Sequence, residues 1–237
     1  MIEVRALRKT FGGRQVLAGV DLTLGRGESL CVIGQSGMGK SVLLKCILGL
    51  ETPDSGQVLW HGRPLDNSAR PEFLARFGML FQGAALFDSL SVWQNVAFRL
   101  RQRMPDRRAR QIALERMARV GLGPETADLM PAELSGGMAK RAGLARAIAD
   151  DPQVIFFDEP TTGLDPIRAR RINALIRDIV TETGASTITI THDMESVRQI
   201  GDRVMLLQDG RFVWNGPVGA MDQADALARF MGREDDK

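Results

Sequence analysis

The run Gly34-Gln35-Ser36-Gly37-Met38-Gly39-Lys40-Ser41 carries the clearest chemistry in this sequence. It fits the pattern Gly, four residues, Gly-Lys-Ser/Thr, follows the apolar run Leu30–Ile33 and opens a helix expected over Lys40–Leu50. Glycines at these places let successive backbone N–H groups turn inward and line an anion site, and the helix N-terminus adds partial positive charge. Lys40 is then placed to reach the β- and γ-phosphates of a nucleotide, and the Ser41 hydroxyl to ligate Mg²⁺. The plain alternative is a glycine-rich strand-to-helix turn that happens to end in Lys-Ser.

A second group with chemistry is Asp158-Glu159, which follows four apolar residues, Val154-Ile155-Phe156-Phe157. A buried strand would deliver both acids at its C-terminal end, where open α/β sheets bind ligands. Asp158 would hold Mg²⁺ and Glu159 would polarise an attacking water. Without a phosphate loop, two acids capping a strand before Pro160 would be the better reading. His192 follows another apolar run, Thr187-Ile188-Thr189-Ile190-Thr191; a lone histidine is more often structural, but at a strand end downstream of a phosphate loop and Asp-Glu it would contact the γ-phosphate and orient Glu159 and water. His61, before a Gly62-Arg63-Pro64 turn, reads as surface structure.

The elements needed to position these groups are legible as strands and helices. Strands are expected at 2–7, 16–24, 30–33, 57–61 and 78–81, and a turn at Pro53–Gly56. From about Ser91 to Ala149 apolar residues recur at helical spacing, as in Ile112, Leu114, Met117 and Val120, so this stretch reads as a helical insert. Strand runs resume at 154–157, 187–190 and 204–207, apolar on both faces and so suited to parallel pairing under helices. Asp209-Gly210 predicts a hairpin to Phe212-Val213-Trp214, and Asp235-Asp236-Lys237 reads as a frayed end.

With 237 residues the chain is long enough to bury a substantial core. Lys+Arg total 31 against Asp+Glu 29, a net charge of +2 that lacks the basic footprint of a nucleic-acid binder. No apolar run approaches the ~18–20 residues of a membrane helix, and Met1–Arg5 has no signal-peptide pattern, so a cytosolic chain is expected. Cys31 and Cys46 read as buried free thiols. Arg99, Arg101, Arg103, Arg107, Arg108, Arg110, Arg116 and Arg119 crowd the helical insert; they form either a solvated face or a surface near anionic lipid headgroups.

Leu134-Ser135-Gly136-Gly137 precedes an expected helix at Lys140–Asp150 and lies upstream of Asp158-Glu159. Alone it is a helix cap. In this order of motifs it resembles the signature of ABC transporter ATPases, and the resemblance runs along nearly the whole chain. It implies an α/β fold, a P-loop NTPase core of ABC type with an antiparallel β subdomain and a helical subdomain near 88–150, all in one domain over 1–237. It implies ATP and Mg²⁺ as ligands, with Phe11 stacking on adenine and residues 34–42 around the phosphates. Gln82 in Leu80-Phe81-Gln82 resembles the loop that touches Mg²⁺ or water and links to the membrane subunit. Ser135, Gly136 and Gly137 would complete the site of a second copy in a head-to-tail dimer, which Asp165 of Gly163-Leu164-Asp165 would cross; Asp165-Pro166 also suits a helix start. His192 resembles the switch histidine.

Two departures from the common pattern, Met138 after the signature and Val42 after Ser41, together with Leu80-Phe81-Gln82-Gly83-Ala84-Ala85-Leu86-Phe87-Asp88, are similar to the Mla-type ATPases. Those power phospholipid transport with an MlaE-type permease and an MCE-domain protein. The resemblance therefore implies an ATPase working at the inner face of the cell membrane, with no nucleic-acid partner. A small-solute importer, and more remotely a soluble ABC ATPase acting on DNA or ribosomes, are the rivals.

Overall fold

The computed structural model describes residues 1–230 and 232, so the Asp235-Asp236-Lys237 end lies outside the described residues. The strands and helices run, in order, β1 (Ile2–Phe11), β2 (Arg14–Leu24), β3 (Ser29–Ile33), α1 (Lys40–Leu48), β4 (Ser55–Trp60), β5 (Arg63–Pro64), α2 (Arg70–Ala75), β6 (Phe77–Leu80), α3 (Val92–Val96), α4 (Asp106–Arg119), α5 (Gly136–Ala147), β7 (Val154–Asp158), α6 (Pro166–Thr183), β8 (Ser186–Ile190), α7 (Met194–Ile200), β9 (Arg203–Gln208), β10 (Arg211–Pro217) and α8 (Asp225–Phe230). They fall into two compact units, one made of 1–74 with 186–237 and the other of 75–185. Among the described residues, no helix is long and apolar enough to cross a membrane.

The first unit holds an antiparallel sheet in the order β2-β1-β4-β5. β1 and β2 alternate inward apolar residues (Ile2, Val4, Leu7; Leu17, Val20, Leu22, Leu24) with exposed polar ones, the pattern of a sheet with one wet face. In the same unit β3 lies between β8 and β9, parallel to both. All five residues of β3 and all five of β8 are buried, which explains their unbroken apolar or Ser/Thr character. Asp209 and Gly210 both have positive φ (48° and 72°), the geometry of a two-residue hairpin that turns β9 antiparallel into β10. Cys31 and Cys46 are free and buried; burial pushes the Cys31 thiol up to about 12, which leaves it unreactive.

The second unit pairs β6 and β7 in parallel, Phe77 with Val154 through Leu80 with Phe157. Val154, Ile155, Phe156 and Phe157 are fully enclosed, and Phe77 meets Phe156 edge-on at 4.8 Å. The helices α3, α4 and α5 fill the expected helical stretch. Asn95 anchors its entry: its side chain accepts from Phe87 N–H and donates to the carbonyls of Phe87, Leu90 and Ser91. This locks the loop between β6 and α3 into one course.

Six of the eight arginines between 99 and 119 pair with carboxylates: Arg99 and Arg103 with Asp150, Arg101 with Asp106, Arg110 with Asp128, Arg116 with Asp151 and Arg119 with Glu182. Arg101 and Arg110 also flank the ring of Trp93, 5.3 and 5.5 Å from its centroid. Much of the positive charge on the insert is therefore matched within the unit.

Candidate functional site

In the first unit the phosphate loop connects β3 to α1. Gly34 has φ 154°, and a Cβ there would stand 2.4 Å from the Leu207 carbonyl oxygen; at Gly39 (φ 94°) a Cβ would stand 2.8 Å from the Val16 carbonyl oxygen. Side chains are excluded at both ends by backbone, so the loop between them is held tight, with Met38 N–H donating to the Gln35 carbonyl across it. Gln35, Ser36 and Gly37 are exposed, Met38 and Val42 half-buried, and Ser41 exposed in the first turn of α1. No side chain caps that helix start, and no acid sits in its first turn. Lys40 is buried, and its ammonium folds back to donate to the carbonyls of Gly34 (2.6 Å) and Gln35 (2.9 Å). The arrangement sets a cation on a glycine-rich loop at an uncapped helix start, which suits a polyphosphate.

His192 lies just past β8, whose Ile190 pairs with Val32 at the end of β3. Thr191 N–H donates to the Val32 carbonyl, so His192 emerges at the same strand ends as the phosphate loop. Its backbone is fixed on the far side by Asp193, which caps α7 by accepting from Glu195 N–H and the Ser196 hydroxyl. Phe11 stands at the β1–β2 hairpin, 45% exposed, with the Lys9 ammonium 5.0 Å from its ring centroid. The exposure does not fit a core aromatic; it leaves a ring free to stack on a flat partner.

The second unit brings together Gln82, Asp158 and Glu159 at the C-terminal ends of β6 and β7. Glu159 has φ 48°, unusual for a non-glycine residue, and its carboxylate accepts from the Thr162 hydroxyl at 3.0 Å. Ser135 caps α5, its hydroxyl oxygen accepting from Met138 N–H at 3.3 Å. The helix thus starts at Gly136, four residues before the expected Lys140, and stops at Ala147 instead of Asp150. Two glycines disfavour helix interior, yet at the first turn the serine cap decides the boundary. Gly137 is half-buried, while Ser135 and Gly136 are exposed. Asp165 caps α6 by accepting from Arg168 N–H at 2.9 Å, followed by Pro166 in the first turn, as the Asp-Pro pair predicts.

Three residues of this unit escaped the sequence reading. Thr162 orients the Glu159 carboxylate, Lys140 donates to the main chain of both Gln82 and Glu159, and Arg146 donates to the carbonyls of Ala84 and Ala85. Residue type offers little signal for the two cations: in sequence they look like ordinary basic residues of a surface helix. Their reach across 58 to 62 residues appears only in the fold.

Comparison with known proteins bears on these arrangements. A family model described as ABC transporter matches residues 17–162. The intermembrane phospholipid transport system ATP-binding protein MlaF of Haemophilus influenzae is 40% identical, the match covering 100% of this chain and 92% of MlaF. The probable ribonucleotide transport ATP-binding protein mkl of Mycobacterium tuberculosis is 41% identical over 91% of this chain. That match takes in 61% of mkl, so the chain spans less than two thirds of that relative's length. Among solved structures, the dimeric ATP-binding cassette MJ0796 in a post-hydrolysis state with ADP and Pi superposes with a TM-score of 0.83 at 29% identity, covering 92% of this chain and 99% of that one.

Proposed function

The chain belongs to the ABC transporter family, and from that premise we propose that it is the ATP-binding and hydrolysing subunit of a system that moves phospholipid between membranes. One observation carries the lipid reading: the 40% identity to MlaF extends over the entire chain and 92% of that protein. The similarity to mkl, whose name points to ribonucleotides, keeps a small-solute transporter as the second reading.

The proposed chemistry assigns each side chain a task. Residues 34–42 wrap the phosphates with backbone amides, and Lys40 leaves its two carbonyls to neutralise the β- and γ-phosphate oxygens. Ser41, Gln82 and Asp158 are oxygen donors, the ligand type that Mg²⁺ prefers. Mg²⁺, when bound, would supply charge neutralisation on the transferring phosphoryl group. Glu159, its carboxylate fixed by Thr162, orients and deprotonates the attacking water. His192 holds the γ-phosphate, and Phe11 carries adenine. Ser135, Gly136 and Gly137 contact the nucleotide of a second copy, with Asp165 at the crossing between copies; the dimeric MJ0796 structure supports this reading.

The partner in the membrane is an MlaE-type permease, with an MCE-domain protein beyond it. Exposed rings in the second unit supply a surface of the right kind: Phe87 and Phe98 lie 4.6 Å apart, and Phe81 is also exposed. The chain then works as a peripheral subunit on the inner face of the membrane.

If Phe11 stacks on adenine, Phe11→Ala is expected to raise the KM for ATP roughly 5- to 100-fold, from the ~1–3 kcal/mol that base–aromatic stacking contributes. The kcat should stay within about twofold, the pattern of lost uniform binding. Steady-state ATPase assays over a range of ATP check it; a lower melting temperature with unchanged KM would make Phe11 a structural residue. The transport assignment is tested by purifying the chain from its own membranes and identifying its companions. A permease, an MCE-domain protein and bound phospholipid are expected; a solute-binding protein without lipid would favour the second reading.

A further inference from the structure

We propose that Lys140 is a positioning residue of the hydrolytic machinery, its buried ammonium holding the main chain of Gln82 and of Glu159 at once. The proposal rests on the roles given above to Gln82 and Glu159. Lys140 lies in the second turn of α5 and is 6% exposed. Its ammonium donates to the Gln82 carbonyl and, at 3.3 Å, to the Glu159 carbonyl. An ammonium is costly to bury, and a lysine there for packing alone would be poorly chosen. Burial pulls its pKa down, while the charges of Glu159 and Asp158 push the other way and favour the cation.

The segments it holds are those that need holding. Glu159 sits in the left-handed region at φ 48°, and Ala84 and Ala85 do so at 62° and 45°. Such conformations persist in non-glycine residues when the surroundings over-determine them. Around Glu159 the constraints are Lys140 on its carbonyl, Thr162 N–H on the same carbonyl at 3.3 Å, and the Thr162 hydroxyl on its carboxylate. Around Ala84 and Ala85 the constraints are Arg146, 2.6 and 2.7 Å from their carbonyls, and the Ala84 N–H donating to the Phe81 carbonyl at 2.9 Å. Lys140 and Arg146 both stand on α5, the helix that Ser135 caps. One rigid helix therefore fixes the Gln82–Ala85 loop and the backbone of Glu159, so the two side chains keep a set spacing. Lys140 touches neither reacting atom; it acts through the residues it holds.

The test is steady-state ATP hydrolysis by the chain purified with its partner subunits. Lys140→Met is expected to lower kcat about 10- to 100-fold, the range that a small misplacement of catalytic groups produces. The apparent KM for ATP should stay within about twofold, and Lys140→Arg, which keeps donors and charge, should recover most of the lost kcat. Combined with Gln82→Ala, Lys140→Met should cost less than the product of the two separate effects. A kcat within twofold of wild type in folded Lys140→Met overturns the proposal, as do an equal loss of nucleotide binding and fully multiplicative effects. Should Lys140→Met fail to melt cooperatively, Lys140→Gln, which shortens the reach, takes its place, and an unchanged kcat there overturns it equally. Glu159→Gln run alongside separates the two levels. Turnover persisting in Glu159→Gln refutes the site reading, whereas an inactive Glu159→Gln with a normal Lys140→Met refutes only the positioning role.

Discussion

Replacing Glu159 by Gln is expected to lower kcat about 10²- to 10⁴-fold, the contribution typical of a positioned general base, while ATP binding stays near wild type. The variant keeps the size of the side chain, and its amide oxygen can still accept from the Thr162 hydroxyl that now holds the carboxylate at 3.0 Å. It loses the ability to take a proton from water. The left-handed backbone of Glu159, held by Lys140 and Thr162 N–H, is untouched by the change, so loss of folding should not accompany loss of turnover. Single-turnover hydrolysis and a nucleotide-binding titration on the same sample separate the two quantities. Near-normal hydrolysis would remove Glu159 from the mechanism.

The second large effect belongs to Lys40 and reaches across copies of the chain. Lys40→Ala removes the ammonium now lying 2.6 Å from the Gly34 carbonyl, and with it the charge-assisted contacts to the β- and γ-phosphates. At ~1.5–3 kcal/mol for hydrogen bonds to charged groups, ATP affinity should fall roughly 10- to 100-fold. Ser135→Arg places a bulky cation at the cap of α5 and should also inactivate the chain, through the other copy's nucleotide. Mixing the two inactive chains then makes dimers in which one composite site carries both lesions and the other carries neither. Partial recovery of hydrolysis in the mixture, above either chain alone, is the expected result. No recovery, with crosslinking showing no dimer, would contradict the shared site.

The parts of this protein that were legible in sequence are those fixed by local chemistry. The phosphate loop is marked by glycines that backbone contacts at Leu207 and Val16 make obligatory. The Asp209-Gly210 hairpin follows from two adjacent residues at positive φ, and the start of α6 from the Asp165 cap with Pro166 directly after it. Buried parallel strands show as unbroken apolar runs in β3 and β7. α5 starts before the expected Lys140 because two glycines argue against a helix in sequence, while the serine cap that overrides them acts through a hydrogen bond to Met138. What could not be read were the long-range constraints. Nothing in the type or spacing of Lys140 and Arg146 says that their cations end on carbonyls near Gln82, and nothing in Glu159 says that its backbone is left-handed. The same holds for the arginines of the insert, whose carboxylate partners lie as far away as Glu182.

The most direct test of the transport assignment is ATP-dependent movement of a labelled phospholipid by the complex purified from its own membranes and placed in vesicles. Lipid transfer that requires ATP and stops in Glu159→Gln is the predicted result. ATP hydrolysis that responds to a soluble solute and its binding protein, with no lipid moved, would contradict it.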